Sequence, residues 1–153
     1  MRRAFPILAA VAGLLLAASF AAGGVAPPVR HAGVERLATL ATIGLHGVVL
    51  AYLVATGRRV GAMAGRPGWP EWVGAQAEKN RRKAWATGAP GVVLAIASGW
   101  GPAGGRGGAW QQALSAANLS FQIGAFLGEY AVLASQAKLL RDVGDWAGPA
   151  PQP

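Results

Sequence analysis

Long apolar stretches alternate with short basic ones along this chain, and the apolar lengths suit a bilayer. About 20 helical residues cross a hydrocarbon layer of about 30 Å. The segment 5–26 is almost wholly apolar and follows Arg2 and Arg3. A second apolar run covers 37–57 and meets Arg58 and Arg59 at its end. A third, 84–100, is shorter, with Pro90 near its start, and its small residues Gly88, Gly91, Ala95, Ala97 and Ser98 suit close helix–helix approach. The fourth, 113–137, ends at Lys138 and Arg141. The expectation is an all-α fold, an integral membrane bundle of four transmembrane helices in one domain over residues 1–147.

The first segment also has the layout of a secretory signal peptide. A basic start leads into the apolar run Ile7 to Ala18, then small residues Ser19 and Ala21 at cleavage-like spacing. Cleavage would leave three transmembrane helices. A retained helix is the favoured reading because the apolar run continues past the candidate cut, with Pro27 and Pro28 expected to stop it.

Residues 58–83 form a basic connector. Arg66-Pro67-Gly68-Trp69-Pro70 cannot hold a regular helix, whereas Glu71 to Lys83 suits a short amphipathic helix. Trp69, Trp72 and Trp85 suit the headgroup layer. Gly101 to Ala109 reads as a flexible loop, and 148–153 as a disordered tail.

Composition strengthens the membrane reading. Charged residues make up 13% of the 153 and apolar residues 53%, with mean hydropathy +0.35. A soluble globule carries roughly 25% charged residues. The net charge of +8 would suggest nucleic acid in a soluble domain, but the basic residues cluster at the ends of apolar runs. No nucleic-acid partner is expected. Cysteine is absent, which excludes disulfides, thiolate metal sites and cysteine nucleophiles. The Ala, Gly, Arg and Pro usage fits a high-GC bacterium and hence an inner membrane.

Charge also orients the bundle. With the N-terminus inside, Arg2, Arg3, Arg58, Arg59, Arg66, Lys79, Arg81, Arg82, Lys83, Lys138 and Arg141 lie in the cytoplasm, and only Arg30, Arg36 and Arg106 lie outside. Eleven against three is a strong positive-inside bias. Both termini are then cytoplasmic; cleavage of the first segment would put the new N-terminus outside and leave the other helices unchanged. The cluster Lys79, Arg81, Arg82 and Lys83, like Arg58 and Arg59, reads first as a topology signal and next as a contact for anionic lipid headgroups.

Polar residues inside the apolar runs fall in stripes. Asn118, Gln122, Glu129 and Gln136 lie at about 0°, 40°, 20° and 0° around a helix axis, with Ser115 beside them. Glu35, Thr39, Thr42 and His46 lie at about 0°, 40°, −20° and 20°. His31 extends that line only if the helix begins early, against which Gly33 argues. Counted from the outer ends, His46 would lie near mid-membrane and Glu129 somewhat more than a turn farther in, and two facing stripes would let His46, or a water it holds, meet the Glu129 carboxyl.

Amides and hydroxyls in such stripes serve as interhelical glue at about 0.6 kcal/mol each. An ionisable residue in the membrane is instead a functional candidate by default, so His46 and Glu129 form a candidate proton, metal or quinone site. Two facing haem-ligating histidines are not available, since His31 and His46 would stand roughly 22 Å apart on or near one helix. Haem or a metal held by His46 alone, or shared across a dimer, stays open; no E-x-x-H or H-E-x-x-H spacing supports a metal. The Gly-rich run 101–108 lacks the ending of a phosphate loop, and no G-x-S-x-G elbow occurs. The functional expectation is a non-enzymatic subunit or assembly component of a membrane complex, with other membrane subunits or its own copies as partners. The alternative is a proton-linked, quinone- or metal-binding redox or transport protein using the buried Glu/His pair.

Overall fold

In a computed structural model the chain is all-helical, with four helices and no strand among the described residues, which are 1, 3–22, 28–65, 68–99 and 109–146. The side chains at 28–32, 109, 111 and 146 lie outside that description, as do the expected loop 101–108 and tail 148–153. Helix α1 spans Phe5–Ala22, α2 Pro28–Ala64, α3 Trp72–Gly99 and α4 Ala109–Trp146. Neighbours in sequence run antiparallel. α1 and α3 lie on opposite sides of the central α2/α4 pair and do not meet.

Three helices are longer than their apolar runs. α2 begins at Pro28, not at 37, because a proline fits the first helical turn, where its missing N–H has no partner to lose. Gly33 does not interrupt it, so the backbone at His31 is helical after all; the His31 side chain lies outside the described residues. At the other end α2 passes through Arg58 and Arg59 to Ala64, since no breaker occurs before Gly65. α4 likewise starts at Ala109 and runs past Lys138 and Arg141 to Trp146.

The larger correction concerns α3. The short amphipathic helix and the third apolar run are one helix, with Pro90 in its interior rather than near its start. Its buried positions, Val73, Ala77, Asn80, Ala84, Gly88, Gly91, Ala95 and Ser98, step by threes and fours through the expected boundary without a break. Ala97 faces outward and takes no part in the close approach. Between α2 and α3 the chain turns through Gly68, whose φ of 89° suits a residue without a Cβ.

Two apolar clusters hold the bundle. Phe5 and Ala12 of α1 join Leu45, Val49, Leu53, Ala84, Phe126, Val132 and Leu133 in the middle, and Phe5 stacks on Tyr130 with ring centroids 6.4 Å apart. Beyond the reach of α1, Val60, Val73, Ala77, Leu139 and Val143 close the end formed by α2, α3 and α4.

Polar side chains share the interior with the apolar clusters, and large apolar side chains also stand on the outside. His46, Gln122 and Glu129 are fully buried, whereas Ile7, Leu14, Val93 and Leu127 are each more than 60% exposed. Two stretches, α1 and Gly33–Ala64 of α2, are long and apolar enough to cross a membrane. α3 and α4 fall short of that measure among the described residues. The first half of α3 carries Glu78 to Lys83, and the inward stripe of α4 replaces apolar side chains with amides and a carboxyl.

Candidate functional site

α2 and α4 run in the same direction through the centre and bring His46 and Glu129 to one level. His46 Nδ1 lies 2.7 Å from Glu129 Oε1, and His46 Nε2 lies 2.9 Å from Gln122 Oε1. The Phe126 ring covers the imidazole at 5.6 Å between centroids. α3 closes the third side with backbone. A Cβ on Gly91 would stand 2.8 Å from His46 Nε2 and 3.2 Å from Gln122 Oε1; one on Gly88 would stand 3.2 Å from Glu129 Oε1. Only glycine lets α3 come this close.

The neighbours of Gln122 fix how the imidazole is protonated. Gln122 Nε2 donates to the Gly91 carbonyl at 2.7 Å and to Asn118 Oδ1 at 3.1 Å. A carbonyl only accepts, so the amide cannot be turned over, and its Oε1 must face His46. His46 Nε2 therefore carries a hydrogen and donates it. Continuing outward, Asn118 Nδ2 donates to Ser98 Oγ at 2.9 Å, and Ser98 Oγ donates to the Ala95 carbonyl at 3.1 Å.

With Nε2 protonated, two arrangements satisfy the 2.7 Å contact between His46 and Glu129. Either Nδ1–H of an imidazolium donates to a carboxylate, or a neutral carboxyl donates from Oε1 to the bare Nδ1. Both hold the same number of protons and differ only in where one of them sits. Glu129 Oε2 is buried with no hydrogen-bond partner.

The remaining stripe residues are divided among other contacts. Thr39 Oγ1 is shared between the Glu35 carbonyl of its own helix at 2.9 Å and the Ala95 carbonyl of α3 at 3.2 Å. Ser115 Oγ donates to Glu35 Oε1 at 3.4 Å, linking α4 to α2 near the end where both helices begin. Thr42 is buried but donates only to Ala38 of its own helix, at 2.8 Å. Gln136 stands apart from the pair, two turns away behind the apolar layer of Val49, Leu53, Ala84, Val132 and Leu133. There Asn80 Nδ2 donates to Gln136 Oε1 at 3.0 Å, and Gln136 Nε2 donates to Thr56 Oγ1 at 3.1 Å. Gln76 and Ser135 both donate to Asn80 Oδ1.

Asn80, Ser98 and Gln76 were not among the candidates read from the sequence. Their signal is the unbroken three-and-four spacing of α3, hidden once that helix is divided at residue 83. The basic residues do not act as one cluster. Arg82 Nε and Arg81 Nη2 grip the Glu78 carboxylate at 2.9 and 2.7 Å, while Arg58, Arg59, Lys79 and Lys83 are exposed. The bonds from Arg82 and then Arg81 hold the Glu78 carboxyl below its usual value.

Both nitrogens of His46 are occupied by protein partners, so the ring offers no lone pair to iron or zinc as it stands. No group of three or more metal-ligating side chains occurs among the described residues. No family of known proteins, curated protein or solved structure matches this chain.

Proposed function

We propose that this chain is a four-helix protein of a bacterial inner membrane, acting without catalysis of its own as a proton-holding subunit of a membrane complex. The observation that carries the proton-holding part is the His46–Glu129 pair. It is fully buried and 2.7 Å across, a geometry in which one proton has two places to sit, on Nδ1 or on Oε1. Such a pair takes up or releases charge only when its surroundings change, which is what a subunit coupled to a neighbour's proton chemistry requires.

Support for four spans comes from where charge is missing. From Ala84 to Gly99 α3 has no charged residue, and from Ala109 to Ala137 α4 has only the buried Glu129. At 1.5 Å per residue the uncharged part of α3 covers ~24 Å and that of α2, 37–57, ~31 Å. Trp72 and Trp85 are half-exposed near the basic end and Trp110 is exposed near the other, as interfacial anchors would be. The basic ends of α2, α3 and α4 project past the hydrocarbon as a short cytoplasmic stalk, with both termini inside. For the subunit role the surroundings are lipid and other membrane subunits, which the exposed apolar side chains Ile7, Leu14, Val93 and Leu127 would meet.

A second reading, in which the pair is fixed interhelical glue, is favoured by the tight seating of Gly88 and Gly91 on it. Nitrogen NMR of the histidines in the detergent-purified chain separates the two. The proton-holding reading expects Nε2 protonated throughout and Nδ1 changing state over about pH 5–8, the range in which histidine titrates, with that change abolished in Glu129→Gln. An Nδ1 signal that stays constant over the range leaves only the glue. Recovery of the chain from lysed cells without detergent overturns the membrane assignment itself.

A further inference from the structure

A cavity of about 400 Å³ opens between α3 and α4 at the level where α3 leaves the basic stalk. Its rim is polar and cationic: Lys79 and Lys83 stand one turn apart on α3, with Gln76 and Asn80 beside them and Ser135 across on α4. The rest of its lining is Ala86, Thr87, Gly128, Ala131 and Val132, mostly small side chains that continue the groove along the side of the bundle. No carboxylate lines it. The contrast with the adjacent arginines is sharp. Arg81 and Arg82 spend their charge on Glu78, and Arg81 faces the other side of α3, toward α2. Neither lysine has a carboxylate partner among the described residues.

We infer that the α3–α4 groove is a binding seat for one anionic phospholipid, with the phosphate between Lys79 and Lys83 and an acyl chain in the slot beside Gly128 and Ala131. Three features fit this occupant together. Two unneutralised ammonium groups on one helix face supply charge for a phosphate. The donors of Gln76 and Ser135 are spent on Asn80 and on each other, which leaves the Gln76 carbonyl in the same rim as an acceptor for a glycerol hydroxyl. Small side chains along the rest of the groove give an apolar chain a place to lie against the bundle. A free phosphate would use the rim but not the slot. The inference rests on the membrane reading above.

Native mass spectrometry of the full chain released from micelles tests it, with phosphatidylglycerol and phosphatidylcholine as the added lipids. The chain should retain one phosphatidylglycerol in preference to phosphatidylcholine. Lys79→Ala with Lys83→Ala should weaken that retention about thirtyfold, the equivalent of about 1 kcal/mol for each lysine. Arg81→Ala with Arg82→Ala should change it by less than about threefold, because those charges are already shared with Glu78. Ala131→Phe, which fills the slot and leaves both lysines, should weaken it as well. Far-UV circular dichroism checks that each variant is folded, and the slot variant keeps the test meaningful if the lysine pair is not. Equal retention of the two lipids, or equal loss in the arginine and lysine variants, overturns the seat. Displacement by millimolar inorganic phosphate reassigns the rim to a soluble anion and also overturns it. A detergent-dependent chain that shows no lipid preference loses the seat alone, whereas a chain soluble without detergent loses the membrane reading first.

Discussion

The two buried polar layers of this bundle use the same helices and differ in one respect that matters. In the middle layer His46, Glu129 and Gln122 meet over the glycines of α3. In the layer nearer the basic end Thr56, Gln136, Asn80, Gln76 and Ser135 meet through amides and hydroxyls alone. Both tie α2, α3 and α4 together. Of the two, only the middle layer contains a group whose charge can change, and among the described residues only there is a side-chain polar atom, Glu129 Oε2, buried without a hydrogen-bond partner. The neutral layer can be made or broken; the ionisable one can also be switched.

Removing one member of the ionisable pair should give the largest effect. His46→Leu leaves the Glu129 carboxyl buried with neither oxygen bonded and should destabilise the bundle by about 3–5 kcal/mol, measured by unfolding in mixed detergent micelles. Adding Glu129→Leu to that variant should recover part of the loss, since the uncompensated carboxyl is then gone. A double variant less stable than the single one would show that the pair is not what holds the layer.

Next comes the backbone that seats it. Gly91→Ala puts a methyl 2.8 Å from His46 Nε2 and should cost about 1–3 kcal/mol while disturbing the histidine resonances. Gly124→Ala meets nothing within 4 Å and should stay within about 0.5 kcal/mol in the same assay. Equal effects at the two glycines would mean that α3 does not press on the pair.

The neutral layer should respond less. Gln136→Leu removes the bonds to Asn80 and Thr56 and should cost about 0.6–1.7 kcal/mol, with no change in how stability depends on pH. The smallest effect belongs to the exposed ion pairs of the stalk. The Glu78 carboxyl is held below its usual value by Arg82 and Arg81, so its contribution is complete above the ordinary carboxylate value. It disappears as pH falls through that value toward the lowered one. Glu78→Gln should therefore be nearly silent under acid conditions and produce a small loss at neutral pH, reduced further by salt. A thermal melt at the two pH values reads the difference.

Much of the central layer was legible before any coordinates. The stripes on α2 and α4 follow from a repeat of 3.6 residues, and they put Thr39, His46, Asn118, Gln122 and Glu129 on inward faces where the structure finds them buried. The helix ends were less legible. The expectation cut each helix where charge began, but a helix stops for want of backbone geometry, not for hydrophilicity. Arg58 and Lys138 are good helix formers, and α2 ends only at Ala64, just before Gly65. Dividing α3 at Lys83 hid Asn80, which lies on the same face as Gly88 and Gly91. The expected four spans reach further than apolarity alone carries, because inward amides dilute the hydropathy of α4 although they never face the outside.

The sequence by itself determined which residues share a helix face, because local backbone hydrogen bonding sets the helical repeat whatever surrounds it. It also determined that basic residues gather at one end and that large apolar side chains outnumber the space inside. The tertiary structure alone decided which nitrogen of His46 meets which partner, that Thr42 satisfies its own helix while Gln136 joins Asn80, and that Lys79 and Lys83 part company with Arg81 and Arg82. Those outcomes depend on the rotation and closeness of neighbouring helices. Such distances are set to a few tenths of an ångström by side chains, and glycines, on a different helix.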